Sequence, residues 1–369
     1  MVGTTVGGRY KIESLLGTGG MCSVYRATDG KEKKSVALKV LPAASAQDAE
    51  LARRFQREIT TGRRIDHPNV VAIWDAGDLP DGGRFLVMEL LEGHSLSHAL
   101  HAGRMPAPRA LGIARQMLVG LGKAHALGIA HRDIKPDNIF LVGDTVKLLD
   151  FGIASNERAA EKLTAAGVAF GTPEYISPEM AMGLPTDARS DIYSVGVVLF
   201  QMLSGRLPFV DSDPKALLRA HAHEAAPSLT AVVPDAHIPE ALAKIVARAL
   251  EKLPEDRYQS AAAMQGALDA IVAADRAARE AKARKRRLTF ATLFLLALAA
   301  GTTAFWLSRQ DRTALETGAT CADRKAALVE QRAKANQTLL PALRRARDRG
   351  RANDCMQKEL RSLIHDLER

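Results

Sequence analysis

A glycine-rich run near the start of the chain has the composition of a loop that contacts phosphate. Glycines let backbone N–H groups approach phosphate oxygens, because no Cβ stands between them. An ordinary hairpin turn has the same composition, so the run gains weight only from motifs later in the chain. Its residues are Leu16, Gly17, Thr18, Gly19, Gly20, Met21, Cys22, Ser23 and Val24.

Two short apolar runs beyond this loop, Ser35–Val40 and Phe85–Leu90, have the pattern of β-strands. Ala37 and Lys39 lie two residues apart and therefore share one face of the first strand. That face can place a small side chain beside a purine and an ammonium group beside phosphates. An alternating strand that ends in lysine is otherwise common.

Acidic and amide side chains that could bind a metal or a proton occur further along the chain. Glu58 lies on a helical stretch, and an isolated helical glutamate is usually a solvated surface residue. A run from His131 to Asn138 combines polar and charged side chains, and Asp150-Phe151-Gly152 comes after a further eleven residues. The apolar residues that repeat at spacings of four around Glu58 are Leu51, Phe55 and Ile59.

In this order and spacing, the motifs resemble those of the protein kinase family, specifically the eukaryotic-type serine/threonine kinases of bacteria. The resemblance covers residues 10–273. It implies an α+β fold of two lobes, a small β-rich N-lobe over residues 10–91 and a large helical C-lobe over 92–273. It also implies ATP and Mg²⁺ as cofactors, and transfer of the γ-phosphoryl group to Ser/Thr hydroxyls of proteins, including the chain itself.

The resemblance also assigns roles to individual residues. Asp133 corresponds to the catalytic base, and Lys135 lies close to the transferred phosphoryl group. Asn138 and Asp150 correspond to the two magnesium ligands. Lys39 would hold the α- and β-phosphates and pair with Glu58, while the adenine would contact Val24, Ala37, Phe140 and the backbone of Glu89 and Leu91, beside Met88.

Further residues are implied as switches or structural supports. The segment Gly171-Thr172-Pro173-Glu174-Tyr175 resembles serine/threonine rather than tyrosine kinases. Arg132, directly before the base, marks kinases controlled by phosphate on the activation loop, and Thr164 is the expected phosphorylation site. The remaining supports are Thr172, Asp191, and Glu179 paired with Arg257.

Two positions depart from the family pattern. Cys22 replaces the third glycine of the phosphate loop, either as a tolerated substitution or as a thiol whose oxidation would block ATP. Gly62, four residues after Glu58, stands where the family has a bulky apolar residue in a stack through His131 and Phe151. An unfilled stack would cost packing energy. No catalytic group is missing, although a pseudokinase scaffold stays open as an alternative.

The charge of the chain argues against a nucleic-acid partner. The net charge is +9, but residues 1–273 carry 30 basic and 31 acidic side chains. The excess lies in residues 274–287, with 7 basic against 2 acidic, and in residues 308–369. Basic charge confined to a short run and a tail is not a folded nucleic-acid-binding face. Composition excludes wholesale disorder, because 47% of the residues are hydrophobic.

Residues 288–307 predict a transmembrane helix, since about 20 apolar residues cross the hydrocarbon core of a bilayer. No charged residue occurs there, and the preceding run 274–287 predicts a basic juxtamembrane helix. This asymmetry places residues 1–287 in the cytoplasm and the tail 308–369 outside. Phe305 and Trp306 fit an aromatic anchor at the membrane interface. The alternative is that residues 288–307 form a buried helix of a soluble domain.

Met1–Tyr10 lacks the apolar core of a signal peptide.

The tail 308–369 is too short for a large sensor domain. It fits either a spacer or a ligand-sensing, dimerising module, and a membrane receptor whose tail binding is the main function is a second alternative. Cys321 and Cys355 predict a disulfide, because both lie outside the reducing cytoplasm. The bond lies within one chain if Pro341 folds the segment back, or between two chains of a homodimer.

Three histidines, His94, His98 and His101, lie four and three residues apart. One helix face can present all three, as a zinc site requires. Exposed polar helix positions explain the same spacing, and we favour this interpretation.

Overall fold

The computed structural model describes residues 1–19, 21–151, 173–236, 238–316, 321–348 and 365. By its contacts, the chain divides into two units, residues 1–277 and residues 278–369. Several residues of the predicted motifs and sites lie outside the described residues: Gly20, Gly152, Thr164, Gly171, Thr172 and Cys355.

A six-stranded antiparallel sheet forms the first lobe, with the spatial order β1-β2-β3-β4-β6-β5. The central strand β4 buries every residue after its first, as expected of a strand covered on both faces. The strands predicted over Ser35–Val40 and Phe85–Leu90 correspond to β4 and β6. The bounds are β1 Thr5–Val6, β2 Tyr10–Thr18, β3 Ser23–Asp29, β4 Ser35–Leu41, β5 Ile73–Asp78 and β6 Arg84–Glu89.

Two helices come after β4, α1 (Ala43–Ala46) and α2 (Ala49–Gly62). Asp48 caps α2, because its carboxylate accepts hydrogen bonds from the backbone N–H groups of Glu50 and Leu51. The buried face of α2 comprises Phe55, Glu58, Ile59 and Gly62. The predicted helical stretch is confirmed, with one buried glutamate on its apolar face.

The second lobe is mainly helical and is built around α4 and α6. Helix α6 is apolar on nearly all sides and is enclosed by the largest hydrophobic cluster. A small sheet in the order β7-β8-β9 lies beside α3 and α4. This arrangement confirms the two-lobed α+β fold. The bounds are β7 His94–Ser95, α3 Leu96–Leu100, α4 Ala107–Ala126, β8 Ile139–Val142, β9 Thr145–Leu148, α5 Pro178–Ala181, α6 Ala188–Ser204, α7 Pro214–His223, α8 Leu229–Val232 and α9 Glu240–Ala249.

The last two helices are long. Helix α10 (Ala261–Glu316) buries Ala261, Met264 and Leu268 against the second lobe near its start. Of the described residues, it holds the one stretch that is long and apolar enough to cross a membrane, and that stretch is fully exposed. Helix α11 spans Cys321–Asp348 and continues through Pro341. The helix therefore gives no support to the alternative in which Pro341 folds the segment back.

Candidate active site

Lys39 is the centre of a buried ion-pair network. Its Nζ lies 2.7 Å from Oε1 of Glu58 and 2.9 Å from Oδ1 of Asp150. Strand β4 supplies the lysine, α2 supplies the glutamate, and the segment after β9 supplies the aspartate. Burial alone would lower the pKa of Lys39, but Asp150 and Glu58 outweigh burial and raise it. The ammonium therefore stays charged, as a group that holds phosphate oxygens must.

The two carboxylates that share Lys39 titrate differently. Burial raises the pKa of Glu58 to about 7, although Lys39 opposes this shift. Burial acts in the same direction on Asp150, but Lys39 outweighs it and the pKa is lowered. Neighbouring carboxylates disfavour each other's ionisation. Asp150 is therefore the firmly ionised partner, and Glu58 is the group that takes up a proton near neutral pH.

We expect kcat/KM for ATP to fall several-fold as the pH drops through about 7, because protonation of Glu58 weakens its pairing with Lys39. The free energy of unfolding depends on pH in the opposite direction to kcat/KM. The folded chain holds this proton more tightly than the unfolded chain, so the contribution of Glu58 to folding is lost as the pH rises. A pH profile of kcat/KM for the wild type and Glu58→Gln checks the assignment. An acid limb that is unchanged in Glu58→Gln would assign it to another group.

Asp133, Lys135 and Asn138 form a second polar cluster. Nζ of Lys135 lies 2.9 Å from Oδ2 of Asp133. The side-chain amide of Asn138 donates to the backbone carbonyl of Asp133 at 2.8 Å and to its Oδ2 at 2.9 Å. The Asp133 side chain is nevertheless 27% exposed. A carboxylate that is fixed in place and open to solvent can orient a substrate hydroxyl and accept its proton.

Asn138 and Asp150 have the atoms that a hard divalent cation requires. The amide nitrogen of Asn138 is the atom that bonds Asp133, so its carbonyl oxygen is the atom presented to a ligand. Asp150 adds a carboxylate of lowered pKa. Mg²⁺ binds through one or two such oxygens together with waters and substrate phosphates. These side chains fit the metal that the family uses.

Two non-glycine residues of this region have left-handed backbones, Arg132 with φ 65° and Asp150 with φ 57°. Such conformations cost about 1–3 kcal/mol each and cluster at functional sites. Asp191 holds the first of them, because its two carboxylate oxygens accept hydrogen bonds from the backbone N–H groups of His131 and Arg132 at 2.8 Å and 2.7 Å. The support expected of Asp191 therefore has a direct geometric basis.

The Arg132 guanidinium has an incomplete set of hydrogen-bond acceptors. Its Nε is buried and has no hydrogen-bond partner among the residues that the structure describes. A buried guanidinium N–H without an acceptor is costly, so an anion that reached it would be stabilised.

The residues expected around adenine come from both lobes. In the first sheet, Ala37 pairs with Met88 and Val36 with Glu89 across β4 and β6. Phe140 lies on β8 of the second lobe and is half-buried. The structure thus brings Ala37, Met88 and Glu89 onto the adjacent strands β4 and β6. The Phe140 ring comes from a separate sheet.

Sequence reasoning missed two further residues. His125 Nε2 lies 2.7 Å from Oδ2 of Asp191, so a histidine also braces this carboxylate. Lys147 donates to Oε2 of Glu89 at 2.7 Å and links β9 to the end of β6. Neither residue belongs to a motif or a spacing pattern, so one sequence carries no signal for them.

Cys22 packs inward rather than toward solvent. It is 7% exposed and lies in a cluster with Leu41, Phe55, Ile59 and Leu86. Burial raises the pKa of its thiol to about 11, which leaves little of the reactive thiolate at neutral pH. The packing role is therefore favoured over the redox hypothesis.

His94, His98 and His101 are all exposed at the surface. The rings of His94 and His98 lie 5.5 Å apart, and those of His98 and His101 lie 6.2 Å apart. Within the described part of the chain, no group of three histidine, cysteine or acidic side chains can hold a metal ion. The exposure of all three side chains favours the surface interpretation.

Comparison with known proteins agrees with this geometry. The model of the protein kinase domain matches residues 10–268. The serine/threonine-protein kinase pkn3 of Myxococcus xanthus is 40% identical over 280 residues, covering 73% of this chain and 51% of that protein. PrkC of Bacillus subtilis is 36% identical over 279 residues, covering 75% of this chain and 42% of that protein.

A solved structure gives the same result. The PknI kinase domain of Mycobacterium tuberculosis matches with a TM-score of 0.58 and 28% identity, covering 73% of this chain and 98% of that domain. The chain spans about half the length of the curated relatives, or less. Over residues 10–268, however, family, relatives and fold agree. The chain belongs to the protein kinase family, as a eukaryotic-type serine/threonine kinase of the bacterial kind.

Proposed function

We propose that this chain is a single-pass membrane kinase that transfers the γ-phosphoryl group of Mg-ATP to Ser/Thr hydroxyls of proteins, including its own. The observation that carries the proposal is the pairing of Lys39 with both Glu58 and Asp150, which brings the nucleotide-binding and metal-binding groups together. The presence of all three groups argues against a pseudokinase scaffold, and an autophosphorylation assay with the purified chain distinguishes the two.

The chain's own residues have distinct tasks in this mechanism. Asn138 and Asp150 would hold Mg²⁺, which would neutralise charge on the phosphates of ATP. Lys39 binds the nucleotide phosphates from β4, oriented by Glu58. Asp133 positions the substrate hydroxyl in line and takes its proton, while Lys135 balances charge beside it. Positioning and electrostatic stabilisation supply most of the catalysis in phosphoryl transfer.

The membrane part of the proposal rests on helix α10. Residues 288–307 are uncharged and fully exposed within this helix. Five cations precede them directly: Lys282, Arg284, Lys285, Arg286 and Arg287. Basic residues next to a span favour the cytoplasmic side. The kinase domain then lies in the cytoplasm, and residues 308–369 lie outside.

We predict that Thr164 is autophosphorylated and that its phosphate pairs with Arg132. The phosphate adds about −1.5 to −2 charges and strong acceptors, and the buried Nε of Arg132 needs an acceptor. Incubation of the purified full chain with Mg-ATP, followed by mass spectrometry, is the test. Thr164→Ala should lose most of the activity, whereas Ser155→Ala, the control in the same segment, should retain it. An unmodified Thr164 in fully active enzyme would refute this part.

We further predict a disulfide between two chains at Cys321 or Cys355. Helix α11 has 28 residues, so it separates Cys321 from Asp348 by roughly 40 Å. The seven residues from Asp348 to Cys355 reach at most about 25 Å. The two cysteines of one chain therefore stay beyond the limit of about 7 Å between Cα atoms that a disulfide allows.

Non-reducing gels of intact-cell membranes test this bond and the topology together. Wild type should run as a dimer, and Cys321→Ser and Cys355→Ser should show which cysteine is needed. After mild reduction, a membrane-impermeant thiol reagent should label these cysteines from outside the cell but not Cys22. A monomer with both outer thiols free would contradict the dimer, and labelling only in lysed cells would contradict the orientation.

A further inference from the structure

Helix α10 carries a dense group of basic residues directly before its apolar stretch. All of these side chains are exposed. None of them forms an ion pair with another residue that the structure describes. After Glu280, the sequence contains no acidic residue until Asp311. We call this group the basic collar, and its members are Lys282, Arg284, Lys285, Arg286 and Arg287.

The basic collar surrounds the helix instead of lying on one face of it. Successive residues of an α-helix are separated by about 100° around its axis. Measured from Lys282, the other four cations lie at about 40°, 140°, 200° and 300°, so no sector wider than about 100° is free of positive charge. A partner helix or a groove would contact one face only. Cations on every side therefore favour a ligand that surrounds the helix.

The like charges of the basic collar repel one another. Lys282 has a cation three residues on, at Lys285, and another four residues on, at Arg286. Arg284 and Arg287 are also three residues apart. Side chains at these spacings are neighbours on a helix, and like charges there destabilise it. Anions that bind around the collar remove this repulsion, so the helix gains stability when they bind.

The basic collar also has the height of one layer of lipid headgroups. Its six residues span about 8 Å along the helix axis. A bilayer of about 40–45 Å with a hydrocarbon core of about 30 Å leaves roughly 5–8 Å on each side for the headgroups. Since the apolar stretch begins at Leu288, the collar lies at this level when the stretch spans the bilayer. The Arg286 guanidinium lies 5.6 Å from the centre of the Phe290 ring, which places one cation at the boundary itself.

We propose that the basic collar binds the headgroups of anionic phospholipids in the cytoplasmic leaflet, so that these lipids are enriched around the span. Anionic lipids give this leaflet a negative surface potential, which attracts basic residues next to a span. Lipids meet the helix from all sides at one depth, whereas a nucleic acid or an acidic protein would approach from one side and leave the opposite cations unpaired. Recognition is by charge, through the phosphate that anionic phospholipids share. This inference rests on the proposed membrane span of residues 288–307.

The full chain, reconstituted in phosphatidylcholine vesicles, tests the proposal. Trace amounts of spin-labelled phosphatidylglycerol or phosphatidylcholine report, by electron spin resonance, how strongly each lipid associates with the protein. Wild type should prefer phosphatidylglycerol by about threefold, and phosphatidylserine should give the same preference. In about 1 M KCl the preference should nearly vanish, since salt at this concentration screens charges beyond about 3 Å. Because the labelled lipid is present in both leaflets, the result does not depend on the direction in which a chain inserts.

Two double variants of helix α10 compare cations beside the span with cations further from it. Arg286→Gln/Arg287→Gln removes two charges of the collar and should lower the preference to about 1.5-fold. Arg276→Gln/Arg279→Gln removes the same charge twelve and nine residues before Leu288, and it should leave the preference unchanged. Exchange of the three collar arginines for lysine should also leave it unchanged, because the charge is kept. An equal loss in the two double variants, or a loss on exchange for lysine, would overturn the proposal.

Flotation of the same vesicles distinguishes failure of the span from failure of the collar. A wild-type chain that does not float with phosphatidylcholine vesicles would contradict the span, and the collar as proposed with it. A chain that floats but shows no preference for phosphatidylglycerol would contradict the collar alone and would favour a one-sided acidic partner instead. Neither measurement uses phosphoryl transfer, so a chain without kinase activity would contradict the catalytic part of the proposed function while the lipid preference still supports or overturns the collar.

Discussion

Asp133→Asn should lower kcat by about 10²–10⁴-fold, the usual contribution of a positioned general base, with ATP affinity nearly unchanged. Asparagine has the same shape as aspartate, and its carbonyl oxygen can still accept the hydrogen bond that Asn138 now donates to Oδ2 of Asp133. The loop should therefore keep its conformation while the proton acceptor is lost.

Lys39→Met should abolish transfer for a different reason. The Lys39 ammonium lies between Glu58 and Asp150, so its loss leaves these two carboxylates without their counter-ion and the nucleotide phosphates without their ammonium. ATP affinity should fall along with turnover. Binding of a fluorescent ATP analogue, measured beside steady-state kinetics, separates the two variants.

Asp137→Asn is the matched control for Asp133→Asn. It changes a carboxylate in the same loop, but an exposed one that belongs to neither polar cluster. Its turnover should stay close to that of wild type. If Asp133→Asn kept wild-type turnover, or if Asp137→Asn lost as much, Asp133 would not be the base.

Local motifs made the polar residues of the candidate site predictable from sequence. Asp133, Asn138 and Asp150 lie within twenty residues of one another, and their chemistry needs side chains of fixed type at fixed spacing. Lys39 and Glu58 were predictable only through the resemblance to the kinase family, because a strand that ends in lysine is common and a lone helical glutamate is usually solvated. Glu58 shows the limit of composition alone, since a lone helical glutamate is normally a surface residue.

Contacts that depend on three-dimensional packing were not predictable in the same way. From the sequence, Gly62 predicts an unfilled space in the packing. In the structure, Ile73 at the bulged start of β5 fills that space, because a Cβ at position 62 would collide with Cδ1 of Ile73. Cys22 shows its packing role only when its neighbours from β4, α2 and β6 are known. Pro341 reads as a helix breaker, yet α11 continues through it, since a proline costs a helix one hydrogen bond and some bending without always ending it.

Loss of the Arg257 side chain should destabilise the kinase domain strongly. Its side chain is completely buried, and all five of its N–H donors have acceptors. Two of these N–H groups donate to the two carboxylate oxygens of Glu179, at 2.9 Å and 2.8 Å. The other three N–H groups donate to the backbone carbonyls of Glu251, Lys252 and Arg189. This one side chain therefore ties α5 to the start of α6 and to the segment after α9.

Glu179→Ala should destabilise the kinase domain by about 3–5 kcal/mol, because it leaves a buried guanidinium without its counter-ion. Burial acts to raise the pKa of Glu179, but Arg257 and Ser190 outweigh burial and lower it. The stabilising contribution is therefore present at neutral pH and is lost on acidification. Arg257→Met should cost at least as much, since it also orphans three carbonyls, and Arg257→Lys should not restore them because a lysine lacks the guanidinium fork.

The exposed pair Glu240–Lys244 provides the control. Its two charges lie 2.7 Å apart, about as close as those of Glu179 and Arg257, but both side chains are at least 75% exposed. Lys244→Ala should leave the melting temperature unchanged, because solvent screens such pairs. Thermal unfolding of the full chain in detergent decides the matter. If Glu179→Ala melted within a degree or two of wild type, the buried pair would not hold these elements together. A double variant, Glu179→Leu/Arg257→Met, that melted higher than either single variant would show that the unpaired charge accounts for part of the cost of each single change.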